Sequence, residues 1–307
     1  MKKTEHTKVQ NKENFVVNFQ TIKSYFELFK PGVMSLAIMS AVVGIILAPG
    51  QINNFKLLWS LICIIFGAGA SGAINMSLEM DIDSQMTRTS KRPLPMHKMH
   101  PHSALEFALV LGAFSVFFMA FFVNTLSALL LLSTIAFYGY FYTLILKKRT
   151  IYNVVIGGIP GALPPVIGWA AVTNSLSLGA FTFFFIIFLW IPPHSWALAL
   201  YKVNEYKKVN IPMMPVVKGR RYTIFQIIFY SILLIFSTYT PYYFNSLGNI
   251  YLIITTLANS FLIYYSIKLI QNIDNKSSHK YDKLFFIFSI NYLFIIFLAA
   301  IFDHYLK

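Results

Sequence analysis

Long apolar runs alternate along this chain with short polar or basic breaks. Residues 150–201, 222–267 and 284–302 contain no Asp, Glu, Lys or Arg, and 31–78 and 103–146 hold one charged residue each. A helix needs about 20 apolar residues to cross a hydrocarbon core of ~30 Å. The four longer runs each have room for two such helices and carry turn residues near the middle: "APGQINN" at 48–54, "VNT" at 123–125, "TNS" at 173–175 and "PYYFNSLGN" at 241–249. The run at 284–302 fits one. The pattern predicts an all-α polytopic membrane protein with nine transmembrane helices. Residues 1–25 are polar and mixed in charge, so they read as a tail ahead of one membrane domain over 26–307. No apolar core with a small-residue cleavage site is seen near the N-terminus, so no signal peptide is expected.

Composition agrees: 57% of residues are hydrophobic and 12% charged, about half the charge of a soluble domain. The formal charge of +14 is unevenly placed. With nine spans, all but Lys56 and Lys307 of the 25 Lys and Arg residues fall on the same side. Cytoplasmic loops carry that excess, which puts the N-terminus and the loops near 75–95 and 202–221 on the cytoplasmic face. The basicity is a topology signal and implies no nucleic acid. Cys63 is the single cysteine. Inside a span it is a small packing residue with no internal disulfide partner.

Against this background the stretch "NMSLEMDIDSQMTRTSKRPLP" at 75–95 stands out, since it holds three of only eleven acids. Asn75, Glu79 and Asp83 follow one another at four-residue spacing, which stacks them on one face of a helix, whereas Asp81 points away. Carboxylates near membrane depth are costly and face a partner, a cavity or an ion. Hard oxygens on one face suit Mg²⁺, which binds through one or two carboxylates together with substrate phosphate oxygens. Arg88, Lys91 and Arg92 follow at once and could hold those phosphates. A helix end pairing its acids with a basic loop, or a proton or cation pathway, is the alternative.

A second polar centre lies on the same face, in "LWIPPHSWALALYKVNEYKKVNIPMMPVVKGRR" at 189–221. Its solitary acid, Glu205, sits among six cations, which suits an anionic ligand. His194 follows two prolines that disturb the helix there. It is either a hydrogen-bonded packing residue or a heme or acid–base ligand. Between the two centres, Gly157 and Gly161 form a small-residue face that lets helices approach. Pro160, Pro164 and Pro165 break up the fifth span, and Tyr138 and Tyr142 share a face. His97, His100 and His102 crowd a loop and need not be ligands.

Four blocks together resemble the intramembrane prenyltransferases of the UbiA type, and within them the branch that farnesylates heme. They are "LFKPGVMSL" at 28–36, the acidic stretch at 75–95, "YTLILKKRTIYNVVIGGIPGALPPVIGWAA" at 142–171 and "WIPPHSWALALYKVNEYKKVNIPMMPVVKG" at 190–219. The likeness runs over roughly residues 24–300 and is carried mainly by hydropathy in the last three spans. It implies a UbiA-like bundle around a central cavity, in a bacterial inner membrane, with the site capped on the cytoplasmic side. The implied reaction moves a farnesyl group from farnesyl diphosphate to a vinyl group of heme b, giving heme O. By position, Asn75, Glu79 and Asp83 would hold Mg²⁺ and through it the diphosphate. Arg88, Arg92, Lys147, Lys148 and Lys202 would neutralise the leaving group, Glu205 would contribute from the second centre, and His194 would serve the porphyrin. Membrane lipid surrounds such a protein, and a heme-modifying or terminal-oxidase assembly protein is the implied partner.

The sequence departs from the family's pattern at four positions. Glu79 and Glu205 stand where Asp is common, which lengthens the reach of both carboxylates. Gly32 stands where Arg is usual and removes an anion contact. Ser195 replaces an aromatic residue after the histidine. Two other readings are a prenyltransferase for an aromatic quinone precursor and an ion or proton transporter. The Pro-His block disfavours the first, and the cations beside the acids disfavour the second.

Overall fold

The computed structural model describes residues 19–275 and 279–307. Residues 1–18 of the expected tail lie outside them. Every regular element among the described residues is helical. A short helix α1 (Phe19–Leu28) leads into α2 (Pro31–Leu47), α3 (Asn54–Leu78), the six-residue α4 (Met80–Gln85) and α5 (Pro101–Phe122). Helix α6 (Thr125–Arg149) and the interrupted α7 (Asn153–Thr173) follow, then α8 (Leu178–Tyr201) and the short α9 (Val203–Lys208). Helices α10 (Gly219–Tyr243), α11 (Asn249–Gln271) and α12 (Lys280–Leu306) complete the bundle.

Eight of these helices (α3, α5–α8 and α10–α12) are long and apolar enough to cross a membrane. The segment expected to be the first span is α2, which is shorter at 17 residues. All four expected midpoints are turns. Their chemistry is local. Asn53 begins α3 by accepting a hydrogen bond from the Lys56 amide at 2.8 Å, and Asn124 begins α6 by accepting from Ser127 at 2.8 Å, both as N-caps. Asn174 ends α7 with φ of 50°, a left-handed stop of the kind Asn tolerates.

The helices close into a ring. In sequence order neighbours pack on one another, α8 packs on both α10 and α12, and α12 returns to α2. Backbones approach closely between α2 and α7, where a methyl group on Gly44 would lie 2.0 Å from the Pro165 carbonyl oxygen. One on Gly168 would lie 2.2 Å from the Ala41 carbonyl oxygen. The glycine face expected at Gly157 and Gly161 serves side chains instead. Gly157 lies under the Tyr142 ring and Gly161 faces Ile191 of α8.

Two local expectations are sharpened. The prolines of α7 do divide it, into Asn153–Ile156, Gly158–Ala162 and Pro164–Thr173. Pro192 and Pro193 do not break α8, which continues through both. Buried Trp190 and Trp196 flank them and hold the helix in the core.

Candidate active site

The acidic stretch forms where α3 stops. Glu79 ends that helix with φ of −114° and ψ of 15°, and α4 starts directly after it. The trio therefore does not ride one continuous helix. The i+4 ladder nevertheless survives the break: the Glu79 amide donates to the Asn75 carbonyl at 3.1 Å and the Asp83 amide to the Glu79 carbonyl at 2.9 Å. Asn75, Glu79 and Asp83 are accordingly buried together, each at most 4% exposed, while Asp81 is exposed.

Each member of the trio is met by one cation from a different part of the fold. Arg92 Nη1 lies 2.6 Å from Asp83 Oδ2, and Lys147 Nζ lies 2.6 Å from Glu79 Oε2. Lys30 Nζ donates to Asn75 Oδ1. The other end of the Asn75 amide donates to Thr143 Oγ1 at 3.0 Å, and Thr143 in turn donates to the Tyr138 carbonyl five residues back at 2.8 Å. That five-residue spacing belongs to a π-helical stretch over Phe137–Leu146 within α6. Such widened turns gather at functional sites. Here the stretch presents Thr143 to Asn75 and, at its end, Lys147 to Glu79. Tyr138 and Tyr142 of the same stretch stack with centroids 5.5 Å apart.

The second centre repeats the same device. Lys202 ends α8 with φ of −114° and ψ of 24°, and the six-residue α9 follows. Glu205 Oε1 accepts from Lys202 Nζ at 2.7 Å and from Thr87 Oγ1 at 2.6 Å. Thr87 belongs to the loop after α4, so the two centres are joined directly. Arg88 is exposed on the same loop. The loop is folded over the site. Thr89 is buried and donates to the Asp83 carbonyl at 2.9 Å, and Leu94 beneath it is wholly buried.

Electrostatics follow from this crowding. Burial, and Arg92 after it, push the Lys30 ammonium down to about 7 in spite of Glu79 and Asp83. Burial pushes the Glu205 carboxyl up, but hydrogen bonds from Lys202 and Thr87 outweigh it and hold the group below its ordinary value. The same hydrogen bond raises Lys202.

Among the described residues no three His, Cys, Asp or Glu side chains converge as a ready-made metal cage. Two carboxylate oxygens nevertheless stand buried with no hydrogen-bond partner among the described residues: Glu79 Oε1 and Glu205 Oε2. An orphaned buried carboxylate oxygen is costly. One such atom at each centre, with Asn75 and Asp83 alongside, is a hard-oxygen set that fits a divalent cation.

Residues 37–290 match the profile of the UbiA prenyltransferase family. The chain belongs to that family. UbiA-family relatives named protoheme IX farnesyltransferase are similar over most of their length. That of Rickettsia bellii (strain OSU 85-389) is 50% identical over 91% of this chain and 92% of its own. That of Rickettsia felis (strain ATCC VR-1525 / URRWXCal2) is 50% identical over 91% and 90%. The fold is that of solved UbiA-type structures. A digeranylgeranylglyceryl phosphate synthase superposes with a TM-score of 0.77 at 19% identity, covering 93% of this chain and 99% of that one. A UbiA homologue from Archaeoglobus fulgidus, solved with DMAPP and Mg²⁺, gives 0.68 at 16% identity, covering 90% and 99%.

The residues expected from the sequence thus separate. Asn75, Glu79, Asp83, Arg92 and Lys147 form one buried network, and Lys202 and Glu205 form the second centre, with Arg88 at its edge. Lys148 is exposed and enters no ion pair among the described residues. His194 lies on α8 with its ring between Trp190 and Phe286, at centroid distances of 4.3 and 4.7 Å. Gly32 is exposed, and a methyl group added there would meet nothing within 4 Å, so the absent Arg leaves no hole. Sequence reasoning missed Lys30, Thr143 and Thr87. Lys30 lies in a block singled out for its likeness to the family, but reads there as one more topology charge.

Proposed function

We propose that this chain transfers the farnesyl group of farnesyl diphosphate to a vinyl group of heme b within the membrane, where addition of water yields the hydroxyethylfarnesyl side chain of heme O. One observation carries the choice of acceptor: proteins named protoheme IX farnesyltransferase are half-identical over nine-tenths of the chain. The geometry supports prenyl transfer. Breaking the allylic carbon–oxygen bond puts negative charge on the diphosphate, and fixed cations aimed at that charge lower the barrier.

Asn75, Glu79 and Asp83 would hold Mg²⁺, and Glu205 would contribute from the second centre. Bound there, the ion supplies Lewis-acid stabilisation of the departing diphosphate. Lys147 and Arg92, paired with Glu79 and Asp83, would neutralise the departing diphosphate. Lys202 and Arg88 close the diphosphate from the second centre, and Lys148 adds positive potential at the rim. The loop carrying Thr87, Thr89 and Arg92 keeps water from the allylic carbon until the vinyl carbon attacks. His194 receives the porphyrin in the apolar interior. The site lies on the cytoplasmic side of a bacterial inner membrane, and the product passes to a heme-modifying or oxidase-assembly partner.

The test is direct. Purified protein in detergent is given heme b, farnesyl diphosphate and Mg²⁺, and the pigments are separated by chromatography. A more retained heme is expected. Heme of unchanged retention, from protein shown to be folded, overturns the assignment.

A further inference from the structure

Ser289 lies on α12, far in sequence from the blocks that carry the family likeness, and is 2% exposed. Its hydroxyl is 2.7 Å from His194 Nδ1 and 2.7 Å from the Phe286 carbonyl oxygen. A serine hydroxyl has one proton to give. If it goes to Phe286, the Ser289 oxygen accepts from a protonated Nδ1, both contacts are satisfied, and Nε2 keeps its lone pair. If it goes to His194 instead, the Ser289 and Phe286 oxygens face each other at 2.7 Å with no proton between them. An oxygen–oxygen approach that close requires a proton between the two, so the first arrangement prevails. The surroundings fix the ring as well as the tautomer. Trp190 and Phe286 stack on its two faces at interplanar angles of 18° and 29°. Trp190 Nε1 also donates to the Ser289 carbonyl at 2.6 Å, tying α8 to α12 at this level.

We infer that Ser289 is a positioning residue that sets His194 with Nδ1 protonated, so that Nε2 is a directed ligand for the iron of a bound heme. The inference rests on the proposed heme acceptor and deepens it by naming the atom that holds the porphyrin. Iron ligation suits this imidazole better than acid–base work. No carboxylate touches the ring among the described residues, so an imidazolium would lack a counter-ion. A neutral imidazole whose other nitrogen donates a hydrogen bond is the usual form of a histidine metal ligand.

The test uses the full chain in detergent, titrated with heme b and followed by absorption and, after reduction, by resonance Raman scattering. The wild type is expected to show an iron–histidine stretch that His194→Ala abolishes. Ser289→Ala is expected to lower its frequency and weaken heme binding about 10-fold, the range found when such a supporting hydrogen bond is removed. Ser289→Thr, which keeps the hydroxyl, is expected to restore both. Farnesyl diphosphate affinity should be unchanged in each variant, which also shows that each is folded. A Ser289→Ala protein with the wild-type stretch and heme affinity overturns the positioning role. Wild-type protein that binds heme without the stretch overturns the ligation. Protein that binds farnesyl diphosphate but no heme overturns the acceptor reading beneath them.

Discussion

Residue by residue, the site is a set of buried acceptors matched by cations. Three buried acceptors (Asn75, Glu79 and Asp83) are met by Lys30, Lys147 and Arg92. Asp83 touches both the Arg92 guanidinium and, through its carbonyl, the buried Thr89 of the covering loop. Asp83→Asn should keep the size of the side chain and lose its charge, lowering turnover at least ~100-fold, the scale seen when a transition-state charge loses one stabilising group. Asp81→Asn, on the exposed side, should leave turnover close to wild type. Heme product formed per minute by the two proteins checks both. The acceptors were legible because residues four apart share a helix face whatever surrounds them. Their cations were not, since Lys147 lies 68 residues from Glu79 and Lys30 lies 45 from Asn75. A lysine before a span also serves topology, and nothing local distinguishes one that turns inward.

At the scale of elements, hydropathy and turn residues placed the helices well, because a bilayer demands long apolar runs and Asn, Gly and Pro end them. Hydropathy did not foretell how single helices deform. The break at Glu79, its counterpart at Lys202 and the π-helical stretch of α6 each turn polar groups inward, and each depends on neighbours that hold it. Helix α8 shows the converse, since Pro192 and Pro193 are absorbed by the packing around them. The α2–α7 contact is equally tertiary: Gly44 and Gly168 matter because a carbonyl oxygen, which cannot move aside, lies over each. Gly44→Ala should therefore destabilise the fold by about 1–3 kcal/mol, as overpacking does. Gly32→Ala, with open space beyond it, should change little. Thermal unfolding of the two variants in detergent separates them.

Over the whole molecule, the ring is closed by polar fastenings at helix ends. Arg220 at the start of α10 holds Asp282 of α12 through two hydrogen bonds of 2.6 and 2.9 Å, and also donates to the Ile273 and Asn272 carbonyls beyond α11. His279 reaches the same carboxylate at 2.9 Å. At the other end of these helices, Asp303 of α12 accepts from the Gly248 and Tyr251 amides and caps α11 from outside it. Asp282 is wholly buried. Arg220→Met should strand that charge and cost about 3–5 kcal/mol, and Arg220→Met with Asp282→Leu should recover much of the loss. Unfolding midpoints of the single and double variants provide the comparison.

The sequence by itself determined the membrane class, the helix order and the face on which Asn75, Glu79 and Asp83 gather. These follow from hydropathy and from helical spacing, which act over a few residues. The same local chemistry marked Glu205 and His194 as unusual in their settings. Tertiary structure alone decided which cation answers which acid, that Thr87 and Glu205 join the two centres, and that Ser289 stands behind His194. Those contacts join residues tens of positions apart in a buried interior, where a hydrogen bond or charge must find its partner among whatever the packing brings near. Sequence spacing carries no record of that choice.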